Sequence, residues 1–360
     1  MASIMAKLYL YRDRLRHNFD YLENQFKEAS IDWAIVTKLL CGNRTFLKEV
    51  LNLGPSQVCD SRLSNLKIIK EINPHVETIY IKPPAKNILK NLVRYADISF
   101  NTQYETIKGI SKEAVKQGVI HKIIIMVEMG DLREGVQGKD LPQLYAQIHN
   151  LKGIEVIGLG TNLNCLHGVM PSNEKLQELC KYKMIIEKEF KKSLPFISGG
   201  TTVTLPLLLN SKVFPKEVNH FRIGEALFFG ADLVNDKTLK GMYPFTFELE
   251  AQVIEASVKP SEPYGELGLN PLGMKHKPNK SGNTNIRRAI LDIGVLDVAP
   301  QFLIPKNRQI KVIGASSDML VVDTTKTQHK YPVGSTMKFE LKYMGALSLL
   351  NSRYVDKIVL

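Results

Sequence analysis

The chain lacks most of the features that would assign it to a special class. Its four cysteines (Cys41, Cys59, Cys165 and Cys180) are widely spaced and form no C-x-x-C pair. That argues against a disulfide framework or a zinc knuckle. Cys180 falls in a helical stretch and reads as a core residue. No apolar run approaches the ~20 residues that a membrane-spanning helix needs. The N-terminus, MASIMAKLYLYRDRLRHNF, turns charged too early to hold the apolar region of a secretory signal. There is no internal repeat and no low-complexity tail. A cytoplasmic location with no membrane partner is the expectation. Charge is unbalanced, at +12 from 48 basic and 36 acidic residues. An excess of this sign can mark a nucleic-acid binder. Here the lysines are dispersed and no nucleic-acid motif accompanies them, so no nucleic-acid partner is expected. An anionic cofactor would use only a few of these charges.

What is present is an ordinary globular composition, 44% hydrophobic and 23% charged over 360 residues. That length accommodates a barrel of about 250 residues and a smaller domain. The first two-thirds alternates short apolar strands with amphipathic stretches, the pattern of a parallel α/β fold. Strands are expected at Trp33–Lys38, Gln57–Cys59, Glu77–Ile81, Asp97–Phe100, Lys122–Met129, Glu155–Asn162, Pro195–Ser198 and His220–Ile223. Eight such strands suggest a closed (β/α)8 TIM barrel, with an open doubly wound sheet as the alternative. After about Ala231 the pattern changes to strand-like segments without helices between them. The expected domains are therefore a barrel over residues 10–231 and a C-terminal β domain over residues 232–360, joined by residues 1–9.

Catalytic groups of a barrel sit at the C-terminal ends of its strands. Lys38 ends the first strand. An amine partly desolvated there loses some preference for its charged form and becomes a nucleophile toward carbonyls. It could equally snorkel past the strand end to solvent. The segment FISGGTTVT, Phe196 to Thr204, follows an apolar strand end with two glycines and then hydroxyl residues. Such a segment can close backbone N–H groups around an anion, or it can be a tight turn with a threonine helix cap. Arg222 ends the eighth strand, with Gly224 just after it. A nucleophilic lysine, a phosphate loop and an arginine at the strand ends of one barrel together imply pyridoxal 5'-phosphate (PLP).

The chain resembles the fold-type III PLP enzymes, the alanine racemase superfamily, over essentially its whole length. Within them it is most similar to the ornithine racemase group, through the segments KLLCGN, DSRLSNLK, YADISFNT, MVEMGDLREG, GTNLNCLHG, ISGG, RIGEALFFG and IGASSD. The resemblance implies that Lys38 carries the cofactor and that Arg222 hydrogen-bonds the pyridine nitrogen. It implies that Arg133 reaches the phenolic oxygen and the substrate carboxylate. Gly199, Gly200, Thr201, Thr202 and Gly224 then form the phosphate site, with Tyr343 from the β domain, and Ser198 is a further cofactor-binding residue. Three positions depart from alanine racemase. Asn162 stands for a histidine packed against the ring, and Gly42 for a phosphate-contacting tyrosine. Val295, in IGVLDV, stands for the catalytic tyrosine that the partner subunit donates.

Racemisation needs an acid/base on each face of a planar carbanion, and Lys38 serves only one. Asp318, beside Ser317 in GASSD, is the preferred candidate for the other face. Cys165 is a second candidate, although a thiol there also reads as a small buried hydrophobe. Tyr264 is a third. The expected function is a PLP-dependent racemase of ornithine or another basic amino acid, working as a homodimer with shared active sites. A carboxylate among Asp131, Glu134, Glu225 and Asp97 would receive the substrate's second ammonium. A decarboxylase or other lyase of the same fold is the alternative enzyme, and a non-catalytic PLP carrier is the alternative of a different class.

Overall fold

The chain opens with strand β1 (Lys7–Leu10) and helix α1 (Arg12–Glu28). This computed structural model describes residues 6–210, 214–269, 273, 275–276 and 284–360. They fall into two compact units, Asp13–Pro244 and Met1–Arg12 with Phe245–Leu360.

In the first unit, strands and helices alternate. The strands are β2 (Asp32–Val36), β3 (Gln57–Asp60), β4 (Glu77–Tyr80), β5 (Ile98–Asn101), β6 (His121–Met126), β7 (Ile154–Gly160), β8 (Phe196–Thr201) and β9 (His220–Ile223). The helices are α2 (Arg44–Leu51), α3 (Leu63–Ile72), α4 (Leu89–Tyr95), α5 (Tyr104–Gln117), α6 (Leu141–Ile148), α7 (Asn173–Phe190), α8 (Leu205–Asn210) and α9 (Glu225–Phe229). All eight strands are parallel, and β9 pairs back onto β2 to close the barrel. This selects the closed (β/α)8 architecture over the open sheet.

Strands buried on both faces read as unbroken apolar runs, and HKIIIM of β6 is buried at five of its six positions. The interior is packed by Ala34, Val36, Cys59, Ile79, Ile98, Phe100, Ile124, Met126 and Ile157. Side chains alternate along a strand. Gln57, Glu77, Lys122 and His220 therefore share the inward side with Cys59, Ile79, Ile124 and Arg222, one layer lower. The barrel's lower interior is polar.

Most expected strand bounds shift by one to three residues, and two of the shifts bear on the site. β2 stops at Val36, and Lys38 opens a short 3-10 turn, Lys38–Leu40. The strand ends early because Thr37, whose N–H still bonds the Cys59 carbonyl, turns to a helical backbone (φ −91°, ψ −1°) while its hydroxyl bonds the β3 end. Gly199 and Gly200 lie inside β8, where a bulge offsets Ser198 and Gly200 against His220 and Phe221. A β-carbon on Gly200 would fall 2.2 Å from the Phe221 ring, which is packed against Phe26 at 5.1 Å between centroids. Gly200 is required by that ring.

The second unit is a mostly antiparallel β domain. After a small hairpin, β10 (Ala231–Asp232) and β11 (Lys237–Thr238), which still belongs to the barrel unit, come β12 (Phe247–Pro260), β13 (Asn285–Leu291), β14 (Leu303–Pro305), β15 (Lys311–Ala315), β16 (Leu320–Asp323) and β17 (Thr336–Leu341). The sheet order is β14-β17-β12-β13-β16-β15. β1 pairs with β12 and also with β18 (Asp356–Val359). Helix α10 (Tyr343–Asn351) was not expected, since LKYM continues a strand-like run. Burial of Gly345, Ala346, Leu349 and Leu350 gives it one apolar face.

Gly200→Ala is expected to lower stability by ~1–3 kcal/mol through overpacking. Gly199→Ala should cost less, because the added carbon meets only the ends of Leu176 and Val218 at 3.1 Å. Urea denaturation of both variants checks the order.

Candidate active site

Lys38 is placed by the β2–β3 seam. Val36 pairs with Cys59, and the Thr37 N–H donates to the Cys59 carbonyl at 2.8 Å. The Thr37 hydroxyl bonds the same carbonyl at 3.0 Å and Asp60 Oδ2 at 2.9 Å. Asp60 is fully buried and also accepts from the Arg62 N–H and Asn65 Nδ2. Burial pushes its carboxyl up, against hydrogen bonds that favour the charge. The turn then closes through Cys41 and Gly42, both at positive φ (49° and 75°). A β-carbon on Gly42 would meet Asn65 Oδ1 at 2.7 Å. The tyrosine expected there by resemblance to alanine racemase therefore has no room on this backbone.

Lys38 itself is exposed, not partly desolvated as expected. Its charge acts on Glu225, the first residue of α9. Burial pushes the Glu225 carboxyl up and the Lys38 ammonium partly offsets this. Gly224, just before it, approaches β2 so closely that a β-carbon would stand 3.3 Å from that of Val36.

Arg222 is 5% exposed and lies on the strand adjacent to β2, in register with Ala34. Its Nη1 donates to the Ser198 carbonyl at 2.7 Å and to the Ser198 hydroxyl, and its Nη2 donates to the Thr161 carbonyl at 2.7 Å. The guanidinium lies over the Phe100 ring, 5.2 Å from its centroid. Among the described residues it has no carboxylate partner, and Nε makes no hydrogen bond. Burial pulls its pKa down. The same burial pushes the neighbouring Cys59 thiol up.

Beyond β6 and β7, Arg133 forms a two-pronged pair with Glu134, with Nη2 to Oε1 at 2.6 Å. Asn162 Nδ2 reaches Glu134 Oε1 at 3.4 Å. Cys165 is a free, exposed thiol within electrostatic reach of Arg133 and Arg222. The expectation of a small buried residue there is not met. Glu128, Arg133 and Glu134 line a pocket of about 450 Å³ together with Thr102, Gln103 and Gln137.

In the ISGGTT segment, the Thr202 hydroxyl accepts the Ala226 N–H at 3.2 Å and so caps α9. Its own proton remains to be donated. Three of the four carboxylates considered for a second ammonium are occupied, Glu134 by Arg133 as above. Asp97 precedes β5 at the opposite end of the barrel and holds Lys70 at 2.7 Å. Asp131 is buried and accepts the N–H groups of Cys165, Leu166, His167 and Val169 at 2.9–3.2 Å. Burial alone would raise its pKa, but these four bonds outweigh it and hold the carboxyl below the usual range.

In the β domain, Asp318 is exposed and accepts from the hydroxyls of Ser316 and Ser317. The Val295 and Leu296 N–H groups donate to the Ser316 and Ser317 carbonyls. A β-carbon on Gly294 would fall 2.4 Å from the Asp318 nitrogen. The segments IGVLDV and GASSD are thus one surface. Tyr264 is 93% exposed, and Tyr343 starts α10.

Residues 10–232 match the family described as alanine racemase, N-terminal domain. The chain belongs to the alanine racemase family. It is 33% identical to the ornithine racemase of Acetoanaerobium sticklandii over 97% of this chain and 98% of that one. It is 31% identical to the lysine racemase of Thermotoga maritima over 99% and 98%. The alanine racemase family fold extends to the β domain. A solved alanine racemase from Bartonella henselae, with covalently bound pyridoxal phosphate, superposes with a TM-score of 0.75 at 15% identity, covering 99% of both chains.

The residues missed from sequence are those that support the site: Thr37, Asp60, Gln57 and His220. A legible signal existed for His220, because HFRI puts a histidine two residues before Arg222 and so on the same side of its strand.

The depressed pKa of Asp131 means that its stabilisation is present above the ordinary carboxylate value of ~3.9 and lost as pH falls through the lower folded value. Asp131→Ala should speed amide exchange of Cys165, Leu166, His167 and Val169 at least about tenfold at neutral pH. That corresponds to losing a bond to a charged group, ~1.5–3 kcal/mol. Unchanged exchange would remove Asp131 as the clamp of this loop.

Proposed function

We propose that the protein is a PLP-dependent racemase that interconverts the L- and D-forms of ornithine or another basic amino acid. The observation that carries this reading is Arg222, a buried guanidinium with no acidic partner and an unengaged Nε, on the strand next to the one that delivers Lys38. A buried unpaired cation is costly, and a ring nitrogen or an anionic ligand relieves that cost. The donor set fits PLP. A primary amine is available for an aldehyde, a guanidinium for a pyridine nitrogen, and the Thr201 and Thr202 hydroxyls with the backbone at Gly199, Gly200 and Gly224 for a phosphate. Tyr343 is the further phosphate ligand in this reading. Similarity to the ornithine and lysine racemases supports the substrate class.

When bound, PLP supplies an electron-withdrawing group that acidifies the substrate's α-C–H. The chain's residues do the rest. Lys38 Nζ takes or returns the α-proton on one face. Arg133 binds the α-carboxylate, with Glu134 and Asn162 holding its fork in place. Arg222 stays a cation and donates, so a pyridine nitrogen beside it stays unprotonated. Asp318 or Cys165 is the acid/base of the other face. Glu225 is the carboxylate left to receive a second ammonium. Two chains pair with two-fold symmetry in this reading. Ornithine and lysine differ by one methylene, worth only ~1–3 kcal/mol, so both are expected to turn over.

Chiral chromatography of the PLP-loaded protein in deuterated water, with single L-amino acids, tests the reading. D-Ornithine and D-lysine carrying α-deuterium are expected, with neither formed by Lys38→Ala. Release of carbon dioxide would make it a lyase. Absence of α-exchange from every substrate would leave a carrier.

A further inference from the structure

The barrel interior contains an unbroken line of hydrogen bonds that the proposed reaction does not use. It starts near the N-terminal ends of the strands. Lys122 Nζ holds Glu77 Oε1 at 2.8 Å. Gln57 Nε2 donates to Glu77 Oε2 at 2.6 Å. Gln57 Oε1 lies 2.9 Å from His220 Nε2, and His220 Nδ1 lies 2.7 Å from the Ser198 hydroxyl. That hydroxyl oxygen also receives Arg222 Nη1. Ser198 is fully buried, and His220 is 1% exposed.

Donor and acceptor roles are fixed along the whole line. Glu77, paired to Lys122, only accepts, so the Gln57 amide points its NH2 group at Glu77 and its oxygen at His220. His220 must then carry its proton on Nε2, which leaves Nδ1 an acceptor. The Ser198 hydroxyl therefore donates to Nδ1, and only lone pairs remain on its oxygen for Arg222. Burial, and secondarily the Arg222 cation, pulls the imidazole down to about 3, so it is neutral at ordinary pH. Each link permits only one orientation of the next. The line brings the influence of a carboxylate at the barrel floor to a guanidinium that has no carboxylate of its own.

We propose that His220, acting through Ser198, is a positioning residue for Arg222. It orients the Ser198 hydroxyl so that this third bond, added to those of the Ser198 and Thr161 carbonyls, locks the guanidinium in one rotamer, with Nε left for the cofactor. The inference rests on the reading of Arg222 as the group facing PLP, but the locking itself can be observed without cofactor.

The test uses the full-length protein, wild type and the variants His220→Phe, His220→Asn and Ser198→Ala. Phe removes the acceptor and keeps a ring, whereas Asn places an amide oxygen near the position of Nδ1. Without PLP, nitrogen-15 NMR should find the Nε2–H tautomer of His220 and separate, slowly exchanging Arg222 Nη–H signals. Those signals should exchange several-fold faster in His220→Phe and Ser198→Ala, where the Ser198 and Thr161 carbonyls alone hold the fork, and slow again in His220→Asn. With PLP, His220→Phe should shift the absorption band of the bound cofactor. It should lower kcat by about tenfold or more, as loss of an outer partner of a functional group does, with KM for ornithine little changed. His220→Asn should recover both. An Nδ1–H tautomer, or Arg222 exchange unchanged from wild type in His220→Phe or Ser198→Ala, would overturn the proposal. If His220→Phe does not fold, the wild-type tautomer and Ser198→Ala decide it. A wild type that neither binds PLP nor racemises would defeat the functional reading while the tautomer still judged the relay.

Discussion

The burial of Arg222 without a counter-ion is the constraint around which the barrel is organised. Removing a guanidinium from water has an effective cost of several kcal/mol even after relaxation. Two carbonyls, one hydroxyl and the face of Phe100 are what the protein offers in return. None carries a formal charge. A protein selected for stability alone would place a carboxylate there or an apolar residue. Keeping the cation, and keeping Nε unengaged, makes sense where a ligand completes the set.

The rest of the site follows from neighbouring strands. β2 lies against β9, so the residues just past β2 share the rim with Arg222 and Gly224. Thr37 and the buried Asp60 fix where Lys38 leaves the barrel. Asp131 fixes the loop that carries Cys165, through four backbone bonds. Buried carboxylates here act on backbone and hydroxyl groups, while the more accessible carboxylates Glu134 and Glu225 face the two basic residues proposed to handle substrate. This division of labour explains why Asp131 and Glu134, three residues apart, are unsuited to the same role.

Much of this was legible in the sequence. Eight short apolar segments separated by amphipathic ones gave the barrel, because parallel strands covered by helices leave that trace. Lys38, Arg222 and the ISGGTT segment stood out as polar groups at apolar strand ends. The strand ends were less legible. Thr37 stops β2 by bonding to Asp60, a residue 23 positions away in the chain. Gly200 is demanded by the ring of Phe221 on the next strand. The helix at Tyr343–Asn351 escaped because a short apolar run fits either a strand or a helix until its packing partner is known. Of the polar line, only His220 left a trace, two residues before Arg222 on the same side of β9; its contact with Gln57 left none. Each residue taken singly is an unremarkable strand start, and only closure of the barrel puts them in contact.

The measurement that tests the account most directly is the site of cofactor attachment. The PLP-loaded protein is reduced with borohydride and digested, and the pyridoxyl-modified peptide is sequenced by mass spectrometry. The account predicts a single stoichiometric adduct on Lys38, and none in Lys38→Ala. A stoichiometric adduct on another lysine, or no adduct from a protein that retains PLP, would contradict it.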